Sequence, residues 1–316
     1  MSTAASALVR WGSRRRKCPP RPVVLPPGLS QDDRRVKAAG TASRGPLTAA
    51  QGRGRVPDDT IIEVKGVSKA FGGLEAVVDC SLSVARGSIT GLIGPNGAGK
   101  TTLFDVMSGA QKPDAGRVVF DGRDVTGASA HERFAMGLVR TFQIAHEFTH
   151  MTALENLTVV AAAQPGENLF NALLRPGLVR GADDKVRARA GEVLEFLNLW
   201  PVRNELAGNL SGGQKKLLEL GRTLMANARA VLLDEVAAGV NRTLLKGLAE
   251  DIQRMNRDLG YTFFVIEHDM DLISRLCDPV IVMAEGRVIA EGPMAEIRAR
   301  PEIIDAYFGA PVEALA

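Results

Sequence analysis

One junction limits what this chain can fold into. The apolar run Ile89–Ile93 passes directly into Gly94, Pro95, Asn96, Gly97, Ala98, Gly99, Lys100 and Thr101, and a helix-forming stretch follows to about Ser108. The eight residues fit G-x-x-x-x-G-K-[ST] in full, in the strand–loop–helix setting that gives the pattern its meaning. Glycines let backbone N–H groups approach phosphate oxygens without a side chain in the way. The helix start adds the positive end of its dipole. Lys100 is placed to reach the β- and γ-phosphates of a nucleotide, Thr101 to ligate Mg²⁺, and Thr102 to support the phosphate contacts. A strand apolar at nearly every position is covered on both faces, so the junction predicts an α/β protein.

The surrounding pattern agrees. Residues 61–64 and 82–84 read as strands of a small early sheet, and Asp121-Gly122 after Val118-Val119-Phe120 is a hairpin signal. Residues 151–224 read as mainly helical. Asp183 or Asp184 is expected to cap a helix whose apolar face is Val186, Ala190, Val193, Leu194 and Leu197. Strand and helix then alternate through 231–233, 244–255, 262–266, 272–277 and 280–283. That order predicts a mostly parallel sheet, interrupted by a helical insertion at about 145–222.

Two further segments carry chemistry. The strand at 231–233 ends in Asp234 and Glu235. Asp234 is placed to hold Mg²⁺, directly or through water. Glu235 is placed to polarise an attacking water, and a general base contributes ~10²–10⁴ in rate. Ser211, Gly212, Gly213 and Gln214 open a second helix whose amides form an anion site. One nucleotide-hydrolysing domain has no need of a second such element, so two chains are expected to close around ATP.

Leu210 to Gln214, read as L-S-G-G-Q, resembles the signature of ATP-binding cassette (ABC) proteins, and the resemblance runs over nearly all of residues 60–310. It implies a P-loop NTPase core of RecA type, an N-terminal antiparallel β-subdomain and an inserted helical subdomain. It implies that Ser211 and the neighbouring glycine amides contact the γ-phosphate held by the other subunit. Gln143, in Thr141-Phe142-Gln143, matches the glutamine that senses Mg²⁺ and the attacking water. His268, in Ile266-Glu267-His268-Asp269, matches the histidine near the γ-phosphate. Phe71, 23 positions before Gly94, takes the place of the aromatic that stacks on adenine. Residues 237–241 occupy the loop joining the two subunits' sites. Val236 and Arg242 stand where the family usually has Pro, and Asn241 where many members have Asp. Val236 frees the backbone beside Glu235 and restores an N–H donor.

A narrower resemblance is to the ATP-binding subunits of branched-chain amino acid importers. It is carried by Phe71-Gly72-Gly73-Leu74, Val139-Arg140-Thr141-Phe142-Gln143, Met151-Thr152-Ala153-Leu154-Glu155-Asn156, Ile266-Glu267-His268-Asp269-Met270 and the terminal stretch 297–309. The spacer at 168–180 suits the larger of that system's two ATPase types. The resemblance implies ATP hydrolysis that drives import, at the cytoplasmic face of the inner membrane. The implied partners are a second ATPase subunit, two membrane permeases and, indirectly, a periplasmic solute-binding protein. Related ATPases serve urea, other amides or lipopolysaccharide export, so the solute stays open, as does a scaffold with a dead site. DNA-acting relatives carry a long coiled-coil insertion and translation-factor relatives carry two cassettes. This chain has neither, so no nucleic acid partner is expected.

The net charge of +3 divides unevenly. Residues 1–58 hold twelve Lys or Arg against Asp32, Asp33 and Asp58, which leaves the remainder net negative. This extension is rich in Pro, Gly, Ala and Ser without apolar period and reads as a disordered, solvated tail. Residues 59–310 read as the folded cassette and 311–316 as a short tail. The longest apolar runs, 157–163 and 263–266, fall far short of the ~20 residues that cross a membrane. Cys18, Cys80 and Cys277 are too scattered for a disulfide or metal framework. His146-Glu147-Phe148-Thr149-His150 fits H-E-x-x-H, but zinc chemistry needs both histidines on one helical face and a third ligand. A surface stretch that meets a membrane partner is expected there instead.

Overall fold

The computed structural model describes residues 59–141, 147–161, 164–237, 242–300 and 303 of the 316-residue chain. The described residues all belong to one unit, Arg53–Ala316. The extension before residue 59, Gln143, His146, residues 238–241 and residues 304–316 lie outside them.

The elements run β1 (Thr60–Phe71), β2 (Leu74–Ala85), β3 (Ile89–Ile93), α1 (Lys100–Ser108), β4 (Ala115–Phe120), β5 (Arg123–Asp124), α2 (Ala130–Ala135) and β6 (Leu138–Arg140). Helices α3 (Ala153–Thr158), α4 (Leu169–Leu174), α5 (Pro176–Phe196) and α6 (Gly212–Met225) follow. The chain continues with β7 (Ala230–Asp234), α7 (Arg242–Leu259), β8 (Thr262–Ile266), α8 (Met270–Leu276), β9 (Val280–Ala284), β10 (Arg287–Gly292) and α9 (Met294–Arg298).

Two sheets form. The first is antiparallel, in the order β2-β1-β4-β5. Its β4–β5 turn has positive φ at both Asp121 and Gly122, the geometry that the Asp-Gly pair favours. The second runs β10-β9-β3-β8-β7-β6, parallel throughout except for the edge strand β10.

Alternation along the parallel strands divides the core in two. Ile93, Val231, Leu233, Phe263 and Val265 enter one cluster, shared with buried residues of α5, α6, α7 and α8. Leu92, Leu232, Phe264, Ile266 and Met283 enter the other, beneath α1 and the antiparallel sheet. Both faces are covered, which is why these strands are apolar along their length.

Between β6 and β7 the regular elements described are all helical. Ala190, Val193, Leu194 and Leu197 are buried as their spacing predicts. The start of that helix differs from expectation. Neither Asp183 nor Asp184 caps it, because α5 already begins at Pro176, where a fixed φ and a missing N–H suit the first helical position.

Candidate functional site

In an open parallel sheet, ligands bind beyond the carboxyl ends of the strands. Leu92 and Asp234 both lie in register with Ile266, so the loops after β3, β7 and β8 leave from one edge. The first loop is shaped by its glycines. A Cβ on Gly94 would stand 2.2 Å from the Met283 carbonyl oxygen. Gly99, at φ 92°, would place one 2.2 Å from the Ala76 carbonyl oxygen. No side chain caps α1, so its leading N–H groups face the loop. Asn96 and Gly97 are exposed, Pro95 and Gly99 half-buried, Gly94 and Ala98 buried. Lys100 is buried and its Nζ donates to the carbonyls of Gly94 (2.7 Å) and Pro95 (3.0 Å). Burial pushes its pKa down, against the opposing pull of Glu235 and Asp234. Thr101 is exposed on the first turn and Thr102 half-buried beside it.

The far end of α1 is held by a residue that carries no sequence signal. Arg133, 1% exposed, donates to the carbonyls of Val106 (2.6 Å) and Met107 (2.8 Å), and also to those of Thr126 and Ala128. A cation at the negative end of the helix dipole complements the anion-accepting end.

Asp234 ends β7 and is buried. Its Oδ2 accepts from Arg140 Nη2 at 2.9 Å, while Arg140 Nη1 bonds the Asp105 carboxylate of α1. Arg140 thus ties β6, β7 and the phosphate-loop helix together. Glu235 follows in the left-handed region, φ 49°, a conformation that costs a side-chain-bearing residue about 1–3 kcal/mol. It is held by its N–H, which donates to the Ile266 carbonyl at 3.0 Å. Its Oε1 lies 3.0 Å from His268 Nε2.

Buried Glu267 clamps the turn beyond Glu235. Its carboxylate accepts from the N–H groups of Ala237 (2.7 Å) and His268 (3.2 Å), and burial pushes its pKa above the ordinary carboxylate range. Val236 is buried, and the bond from this turn to Glu267 is made by the Ala237 N–H. The Thr101 hydroxyl and the Asp234 carboxylate are hard oxygen donors and fit Mg²⁺. With Oδ2 engaged by Arg140, Oδ1 is the Asp234 oxygen left for a metal.

Lys100, Asp234, Glu235 and His268 therefore gather at one edge. The other expected residues lie on other elements. Ser211 caps α6 through a capping box: its Oγ accepts from the Gln214 N–H (3.4 Å) and its own N–H donates to Gln214 Oε1 (2.9 Å). Ser211 and Gly212 are exposed, Gly213 buried and Gln214 half-buried. No hydrogen bond joins these four to residues 94–102 among the described residues. Phe71 is 45% exposed at the end of β1, with Lys69 Nζ 5.5 Å from its ring centre. His146 of the H-E-x-x-H pattern lies outside the described residues. The described part of the pattern lies before α3, outside any helix, and Glu147 pairs with Lys215 of α6 at 2.7 Å.

A glycine-rich loop between a buried parallel strand and a helix, facing two carboxylates, defines a P-loop protein that binds nucleotide phosphates. The family model described as "ABC transporter" matches residues 77–238. Over 250 residues the chain is 39% identical to the probable branched-chain amino acid transport ATP-binding protein LivG of Archaeoglobus fulgidus, covering 79% of this chain and 96% of that protein. It is 36% identical over 249 residues to the high-affinity branched-chain amino acid transport ATP-binding protein BraF of Pseudomonas aeruginosa, covering 79% and 98%. A nucleotide-free ATP-binding cassette from an ABC transporter superposes with a TM-score of 0.69 at 36% identity, covering 79% of this chain and 100% of that one. The ADP conformation of an ABC transporter cassette gives 0.68 at 34% identity, covering 79% and 99%. The chain belongs to the ABC transporter family.

Proposed function

We propose that this chain is the ATP-hydrolysing subunit of an ABC importer for branched-chain amino acids or related small solutes. The observation that carries the reading is the shared edge where the Lys100 loop meets Asp234, Glu235 and His268. The names of the relatives supply the solute class.

Residues 94–102 wrap the phosphates with backbone N–H groups, and Lys100 exchanges its bonds to the loop carbonyls for phosphate oxygens. Thr101, Asp234 and Gln143 would hold Mg²⁺, which would supply charge neutralisation at the nucleotide phosphates. Glu235 takes the proton of the attacking water, and His268, already within hydrogen-bonding distance of it, orients its carboxylate toward the γ-phosphate. Phe71 stacks on the adenine. Ser211, Gly212, Gly213 and Gln214 present the start of α6 to the γ-phosphate bound by a second ATPase subunit. The pair acts at the cytoplasmic face of the membrane beneath two permeases. No described helix is long and apolar enough to cross the membrane, so the permeases supply the spanning segments.

Reconstitution with the permeases in vesicles tests the reading. ATP hydrolysis coupled to leucine uptake is the expected result. Hydrolysis coupled only to another solute would move the solute class, and absence of Mg²⁺-dependent hydrolysis would overturn the assignment.

A further inference from the structure

The contact between Glu235 and His268 joins two chain segments, and neither is fixed by its own local structure. Glu235 keeps its left-handed backbone, φ 49°, in a turn of Glu235, Val236 and Ala237 that no proline stiffens. A strained conformation of this kind persists only where its surroundings impose it. His268 stands just past the end of β8 and is exposed, so little packing fixes its ring.

Glu267 bridges the two segments. One carboxylate oxygen accepts from the Ala237 N–H at 2.7 Å, two residues beyond Glu235. The other accepts from the His268 N–H at 3.2 Å. The 3.0 Å contact between His268 Nε2 and Glu235 Oε1 closes a ring. It runs from the turn through the Glu267 carboxylate to the His268 backbone, then through the His268 ring to the Glu235 carboxylate. Two accepting oxygens suit the ionised carboxylate, which accepts and never donates.

That charge is costly where it stands. Glu267 is 3% exposed, burial raises its pKa, and the nearby Glu235 carboxylate adds to the rise. Packing by itself would favour an apolar residue of similar size. What the carboxylate holds in place accounts for its presence.

We propose that Glu267 is a positioning residue for hydrolysis, which sets Glu235 and His268 in their working geometry without touching nucleotide or metal. The proposal deepens the ATPase reading and rests on Glu235 acting as the base.

The test compares turnover of the full-length chain, purified and in the reconstituted transporter, by release of radiolabelled phosphate. Glu267→Gln keeps the size but replaces one acceptor by a donor. Glu267→Asp keeps the charge but withdraws it by one methylene. Each should lower kcat by about tenfold to a hundredfold, with KM for ATP and equilibrium ATP affinity near wild type. In a Glu235→Gln background, Glu267→Gln should change the residual rate by less than about twofold, because the base that it positions is already gone. A cooperative unfolding transition checks the fold, and Glu267→Asp carries the same comparison should Glu267→Gln fail to fold. Near-wild-type kcat in both Glu267 variants would overturn the proposal and leave the ATPase reading standing. An equal fractional loss in both backgrounds would also overturn it, since a general structural fault scales every rate alike. Undiminished turnover by Glu235→Gln would overturn the assignment of the base and the proposal with it.

Discussion

Glu235 carries the sharpest demand in the molecule. Its backbone is left-handed, its N–H is tied to β8 and its carboxylate meets His268. Replacing Glu235 by Gln keeps its size and should lower ATP turnover by ~10²–10⁴ while ATP affinity stays near wild type. Phosphate-release and equilibrium-binding assays read the two quantities separately. Arg140 makes a different kind of contribution. It divides its guanidinium between Asp105 and Asp234, so Arg140→Ala leaves a buried carboxylate uncompensated. The expected cost is about 3–5 kcal/mol in urea unfolding. Mg²⁺-dependent nucleotide binding should weaken as well, since the Asp234 carboxylate loses the group that orients it.

At the scale of elements, α1 is pinned at both ends, by the phosphate loop and by Arg133. Arg133→Met retains an apolar stem but strands the Met107 carbonyl and leaves that of Val106 with the Gly109 N–H alone, and should cost about 1–3 kcal/mol in the same unfolding assay. The Glu267 clamp has a pH signature. Burial raises its pKa above the ordinary value of 4.5, so the folded chain holds this proton more tightly than the unfolded chain. Its contribution to stability is fully present below about 4.5 and is lost as pH rises through the folded value. Glu267→Gln should therefore flatten that decline in a series of Tm measurements across pH.

These residues also mark the limit of what the sequence discloses. The β3–α1 junction was legible because an apolar run, a glycine loop and a helix start are all local. Asp234 and Glu235 were legible as acids closing an apolar strand. Arg140 and Glu267 sit inside strings that carried the family resemblance. Their roles depend on the parallel register of β6, β7 and β8, which local patterns do not encode. Arg133 reaches carbonyls 26 and 27 positions away and looks like any surface arginine of a short helix. The start of α5 was misplaced for a related reason: two aspartates gave a stronger local cap signal than Pro176, yet the helix extends past them.

At the scale of the whole molecule, the two phosphate-type helix starts do not meet within the described chain. The loop at 94–102 faces Asp234 and Glu235, whereas Ser211 and Gly212 at the start of α6 are exposed and Ser211 bonds Gln214 of its own turn. A capping serine alone is worth about 1 kcal/mol, so Ser211→Ala should barely shift stability. If Ser211 serves a neighbour's nucleotide, the same change should lower turnover well beyond tenfold. The most direct measurement is sedimentation of Glu235→Gln saturated with Mg²⁺ and ATP, alone and with its companion ATPase subunit. The account predicts an ATP-dependent pair that disappears when Ser211→Arg is added, while each single chain still binds nucleotide. A chain that remains single at saturating ATP under both conditions would contradict it.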